Sequence, residues 1–241
     1  MSTPRTTRNT GNTGTTARRR SYPASPAASL TERRKAETRM EIARAAATLF
    51  VRQGLRATRA EDIAHAAGIA PRTFYRYFAS KEEAVAPLYA AGAQLWTASV
   101  RAAPAHLTLP EALRHAVDRT LAPGVGVSAS AWEWARTLIR MAHTSPALGK
   151  VWAEVCQASE TELAEALAAR LRPAEDDTDN VAEAATPHLR FAAAVAGAAV
   201  RVAVETWALT EAPPSGPAGP AALALGNLVA LGDFAWEAPQ G

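Results

Sequence analysis

Between Ala67 and Glu83 the chain reads AGIAPRTFYRYFASKEE. Phe74, Tyr75, Tyr77 and Phe78 fall within five residues, and Arg72, Arg76 and Lys81 flank them. Phe74 and Phe78 are four apart, so on a helix they share one face and go to the core. Tyr75 and Tyr77 fall off that face. With the arginines beside them, they are placed to press against a polyanion. Ordinary hydrophobic core is the competing explanation for so aromatic a segment.

The charge distribution favours the polyanion. The net charge is only +3. Residues 1–81, however, hold 16 Lys/Arg against 5 Asp/Glu, and residues 82–241 hold 10 against 18. Residues 31–81 alone still carry 11 basic and 5 acidic side chains, so the asymmetry does not depend on a basic tail. One part of the chain is suited to phosphate and the other is not.

The elements that must position these residues read as helices throughout. Alanine dominates, and runs of β-branched residues are nearly absent. Residues 1–29 are Thr, Asn, Gly, Ser, Pro and Arg without apolar periodicity and are expected to be a disordered basic tail. Ordered chain then begins, with Ser29 or Thr31 as N-cap. Ile42, Ala46, Leu49 and Phe50 form the inner stripe of a first helix that Gly54 ends. Thr58 is expected to cap a short helix running to about Ala67. Gly68 breaks it, Ile69 plugs the gap, and Pro71 opens a second short helix over 71–77. Two short helices joined by a glycine-containing turn, with small Ala64 where they approach, make a helix-turn-helix. Ser80 and Glu83 form a capping box for the next helix. Further helices are expected near 81–102, 109–122, 130–143, 146–171, 186–210 and 220–236, with Pro87 kinking the first of these or splitting off its first turn. The fold class is all-α: a three-helix head over 30–80, then a helical domain over 81–241.

This ordered set resembles the DNA-binding domain of the TetR family of transcriptional regulators. The likeness runs from Thr31 to Leu88, through LFVRQG, AT…EDIAHAAGI and TFYRYFASKEEAV. The chain departs from the family pattern at Thr58-Arg59-Ala60, which adds a cation and removes volume. It departs again at Ala70-Pro71, where a cap is lost and a stiff turn gained. The resemblance implies that helix 71–77 lies in the major groove of duplex DNA, with Arg72, Thr73 and Arg76 toward base edges. Tyr75, Tyr77 and Lys81 would reach phosphates, as would Thr58 and Arg59 at the start of the preceding helix. Arg18, Arg19 and Arg20 offer a further arm along DNA. One such head reads few bases, so a homodimer on a palindromic operator is implied.

Helices 186–210 and 220–236 are apolar nearly all round and are expected to pair with their copies, with Ala193, Ala194, Gly197 and Ala198 permitting close approach. The region between the head and these helices is expected to hold a small, largely apolar ligand. Its candidate lining is Trp96, Trp132, Trp152 and Trp207, with His115, Arg136, Arg140 and His143 as polar contacts. Ligand binding would then favour a conformation with badly spaced heads, as in a repressor, with helix 81–102 as the moving part.

Other classes are less well supported. The chain lacks Gly-x-Ser-x-Gly, a P-loop and His-Glu-x-x-His, so no catalytic residues are assigned and an enzyme is not expected. Gly124–Ser128 has glycines but no preceding strand. Asp176, Asp177 and Asp179 lack the glycine and distal glutamate of an EF-hand. No cofactor or metal is expected. Cys156 is the sole cysteine, which excludes an internal disulfide. With no secretory signal pattern and an apolar run of only Phe191–Val200, a cytoplasmic protein without membrane contact is expected. A sequence-independent DNA-organising protein is the alternative function.

Overall fold

The computed structural model describes residues 30–122, 129–172 and 185–237. The expected basic tail with Arg18–Arg20, the stretch Gly124–Ser128 and the acids Asp176, Asp177 and Asp179 lie outside the described residues. Within them there are nine α-helices and no strand.

The head is built from α1 (Leu30–Gln53), α2 (Ala60–Ala66) and α3 (Pro71–Tyr77). Ile42, Ala46 and Phe50 of α1 are fully buried, as the periodicity requires. Gly54 ends α1 with φ of +84° and donates its N–H to Phe50 O. After α2, Gly68 at φ +68° donates to His65 O, and Ile69 N–H returns to Ala64 O at 2.9 Å. That pair of bonds is a Schellman turn, and it aims α3 across α2. Pro71 opens α3 without any side-chain cap at Ala70. Two expected caps differ. Thr31 lies inside α1, because the helix already begins at Leu30, and the other candidate, Ser29, lies outside the described residues. The N-cap of α2 is Arg59, whose N–H donates to the Asp62 carboxylate at 2.9 Å.

The expected capping box is half formed: Ser80 Oγ accepts the Glu83 N–H at 3.2 Å, but the Glu83 carboxylate accepts from Ala79 N–H and not from Ser80. A 3-10 turn over Glu83–Val85 follows, after which α4 (Ala86–Ala102) runs on with Pro87 in its first turn. The proline has split the first turn from the helix. The larger domain continues with α5 (Leu109–Thr120), α6 (Ala129–Thr144), α7 (Pro146–Leu171), α8 (Pro187–Ala208) and α9 (Pro220–Ala230). α4 packs along α7, and α8 lies between α7 and α9. Arg170 of α7 caps α4 from outside: its guanidinium donates to the carbonyls of Val100, Ala103, Pro104 and Leu107. A cation at a helix C-terminus suits the dipole as well as the orphan carbonyls. α9 is shorter than its apolar pattern suggests. It stops at Ala230, Gly232 turns at φ +42°, and Phe234 instead stacks between Phe191 and Trp236.

Two apolar clusters make the core. One runs from Ile42 and Phe50 through Phe74, Phe78, Val85 and Tyr89 to Trp132, Leu138 and Trp207. The other gathers Trp96, Val100, Leu113, Leu163, Leu167, Leu189 and Leu228. Packing therefore does not stop where the three-helix head ends. Because Phe50 is completely buried in the shared cluster, Phe50→Ala should cost about 3–5 kcal/mol. Thermal melts followed by far-UV circular dichroism and by tryptophan fluorescence should move down together, rather than the head melting alone.

Candidate functional site

The head presents one exposed face of α3. Phe74 and Phe78 are buried, at 0% and 3% exposure, with ring centroids 5.8 Å apart. Standing on them, Arg72 and Arg76 are exposed and Tyr75 is 53% exposed. The Tyr75 hydroxyl donates to the Glu61 carboxylate at 3.3 Å, and the Arg76 guanidinium lies 5.4 Å from the Tyr77 ring centroid. Thr73 and Tyr77 are half-buried, and Arg59 is exposed at the start of α2.

Two residues assigned to phosphate do something else. Thr58 is fully buried, its hydroxyl donating to Gly54 O at 2.9 Å and accepting from the Gln53 amide. Its hydroxyl thus closes the α1–α2 loop instead of facing solvent. Lys81 Nζ donates to Leu55 O at 2.7 Å and Thr58 O at 2.8 Å. Two of the three ammonium donors tie the segment after α3 to the same loop. Arg39 of α1 does similar work at the far end of α3, donating to Tyr77 O at 3.2 Å with its guanidinium 4.7 Å from the Phe78 ring centroid. Nothing in the sequence marks Arg39 among the other basic residues of α1, because its partners Tyr77 and Phe78 lie far along the chain.

Behind the head, α4 to α8 enclose a cavity of about 510 Å³. Its walls include Tyr89, Trp96, Trp132, Trp134 and Trp152. Tyr89 donates its hydroxyl to Leu138 O at 2.9 Å and meets Trp152 edge-on at 5.0 Å. Of the predicted lining, Trp96, Trp132 and Trp152 are brought together here. Trp207, Arg136, Arg140, His115 and His143 are not in the wall. Trp207 is buried on the far side of Trp132, donating its indole N–H to Ala212 O and Pro213 O. The Arg136 guanidinium lies over the Trp207 ring at 4.3 Å and donates to Ala212 O. Arg140 binds Ala208 O, Thr210 O and the Glu211 carboxylate. These two arginines hold α6 against the C-terminal end of α8, where carbonyls lack helical partners. His143 is exposed near the end of α6, and His115 sits on α5 outside the wall.

Known proteins resemble the head most clearly. The family model for bacterial regulatory proteins of the tetR family matches residues 42–86. The HTH-type transcriptional regulator TcmR of Streptomyces glaucescens is 46% identical over 72 residues, 30% of this chain and 31% of that protein. The HTH-type transcriptional repressor KstR2 of Rhodococcus jostii is 51% identical over 51 residues, 21% of this chain and 25% of that one. Over residues 42–86 the head is thus similar to the DNA-binding part of the tetR family. Its likeness to these curated relatives spans less than a third of their length. A solved chain from a Rhodococcus species, assigned to the TetR-family regulators, shares the fold more widely. It superposes with a TM-score of 0.50 at 19% identity, covering 80% of this chain and 98% of that chain.

The polar groups of this chamber were not legible in the sequence. Cys156, Ser159 and Glu160 of α7 and Arg201 of α8 line it, with Thr120 at the end of α5. The three on α7 recur at helical spacing, but so do many surface residues. Burial pushes the Cys156 thiol up to about 12. The Glu205 and Glu160 charges add to the rise, and Arg201 opposes it. A thiol reagent at pH 8 should therefore modify native Cys156 at least about tenfold more slowly than the urea-unfolded chain, since the thiolate is the nucleophile. Timed absorbance of the released reporter group would measure this.

Proposed function

We propose that this chain is a ligand-responsive transcriptional regulator, acting in the cytoplasm as a homodimeric repressor on a palindromic operator. The observation that carries the reading is α3 itself: exposed Arg72, Tyr75 and Arg76 standing on buried Phe74 and Phe78. Such a helix fits the major groove, where an arginine can bond guanine O6 and N7 together. Arg59 and Tyr75 are then positioned toward the backbone phosphates, with the Glu61 bond of Tyr75 giving way to a phosphate. The two curated relatives that match this head are named as a transcriptional regulator and a repressor.

Pairing of the α8 and α9 faces supplies the second head. Phe191, Val202, Leu209 and Val229 are large apolar side chains left 45–64% exposed on or beside those helices. α8 is also the one described helix long and apolar enough to cross a membrane by length and composition. A second copy covering its outer face accounts for that character without a bilayer. Gly197, expected at the dimer seam, instead faces Glu160 and the cavity. Ligand response follows from α4, whose Tyr89 belongs to the head's core and, with Trp96, also lines the chamber. A molecule that wedges the chamber moves α4 and changes head spacing.

Operator DNA from upstream of the gene should be bound with an affinity that falls steeply and linearly in log salt. Arg72→Ala and Arg76→Ala should each weaken binding by roughly five- to a hundredfold and relax base preference. Fluorescence anisotropy against the operator and a scrambled duplex would measure both. Equal affinity for the two duplexes would favour a sequence-independent DNA-organising protein. Sedimentation equilibrium should give twice the 25.4 kDa chain mass, and Leu209→Asp with Val229→Asp should shift it toward the monomer.

A further inference from the structure

Among the described residues, the charged groups lining the chamber are Glu160 and Arg201, and they are not equivalent. Arg201 already has a carboxylate partner. Its guanidinium meets the Glu205 carboxylate at 3.2 Å, one turn along α8. Glu205 is itself engaged by the indole N–H of Trp152 at 2.6 Å. Glu160 has neither a hydrogen bond nor an ion pair among the described residues. Two carboxylates and one guanidinium therefore leave an unmatched negative charge at the polar end of an aromatic-walled cavity.

The fold makes room for that charge. A Cβ at position 197 would stand 3.2 Å from Glu160 Cγ, so Gly197 of α8 lets the glutamate side chain lie close against the helix. Around it, Tyr89, Trp96, Trp132, Trp134 and Trp152 supply ring faces and edges. Electron-rich rings attract a cation, and more strongly where water is excluded. An unpaired carboxylate in apolar surroundings is costly until an opposite charge joins it. A ligand carboxylate or phosphate would meet the reverse situation, with the nearest guanidinium already paired.

We infer that the chamber selects a planar aromatic cation, an amine or quaternary nitrogen carried on a fused ring system, with Glu160 as its counter-ion and the tryptophans as its walls. The volume of about 510 Å³ admits such a ring system. Burial already pushes the Glu160 carboxyl up while Arg201 draws it down, and a bound cation would draw it down further. This selectivity rests on the chamber being the ligand site.

The test uses the full chain and three anthracenes of one shape, substituted on the central ring with aminomethyl, hydroxymethyl or carboxylate. Titration calorimetry or quenching of tryptophan fluorescence should show the ammonium binding at least about tenfold more tightly than the carboxylate, with the alcohol between them. Glu160→Gln should abolish the ammonium's advantage while leaving the alcohol within about twofold of its wild-type affinity. The charge series on the unaltered chain stands independently of how that variant folds. Equal or better binding of the alcohol or carboxylate would overturn the inference. So would failure of all three probes to bind, or a natively folded Glu160→Gln protein that keeps the preference. Operator release is scored separately in the same samples. Selective ammonium binding without release would sink the ligand-response reading and leave this inference standing; release by the alcohol alone would do the reverse.

Discussion

The Tyr89 side chain occupies the junction on which the rest of the molecule depends. Its ring packs in the same apolar cluster as Phe50 and Phe74 of the head, and its hydroxyl donates to Leu138 O of α6. It also forms part of the cavity wall, edge-on to Trp152. A head that shared no core with the larger domain could swing on its linker without regard to what filled the chamber. Here Tyr89 belongs to both, so the head and the larger domain share packed core at the cavity wall. Burial of the tyrosine hydroxyl raises its pKa and keeps it a neutral donor.

The head solves a conflict built into its aromatic segment. The short α3 cannot be stable as an isolated helix, so the tertiary contacts must hold it. Phe74 and Phe78 supply that hold from beneath, and Arg39 and Lys81 brace it from either side. Both cations act by donating to carbonyls that no helix satisfies. Positive charge in the head thus divides into an inward set that binds carbonyls and an outward set left exposed. The outward set, Arg72, Arg76 and Arg59, is exposed, and no acid among the described residues pairs with it at salt-bridge distance.

The larger domain faces a different constraint. α8 is apolar on nearly every side, yet it carries Arg201 and Glu205 into the interior as a pair one turn apart. Pairing makes their partial burial tolerable, and the Trp152 indole completes the Glu205 carboxylate. Glu160 on the neighbouring helix has no such arrangement. Ionisable groups that line a cleft with a perturbed pKa and no partner cluster at functional sites, which draws attention to the cavity they border.

Local rules decided the helices of the head. Gly54 and Gly68 had to stop α1 and α2, Pro71 had to begin α3, and the spacing of Phe74 and Phe78 had to bury them together. These outcomes depend on neighbours within about one helical turn, so they can be read from residue order alone. Thr58 and Lys81 could not be read this way, since a hydroxyl or ammonium serves a phosphate or a carbonyl equally well. Only the approach of the 55–58 loop to Lys81 decided between them. The same holds for the tryptophans. Six of them announce aromatic surface somewhere, but whether a ring faces a cavity, as Trp134 does, or an arginine, as Trp207 does, depends on helix rotation and on partners scores of residues away. Residue order determines side-chain chemistry and short-range geometry; long-range packing chooses which groups that chemistry meets.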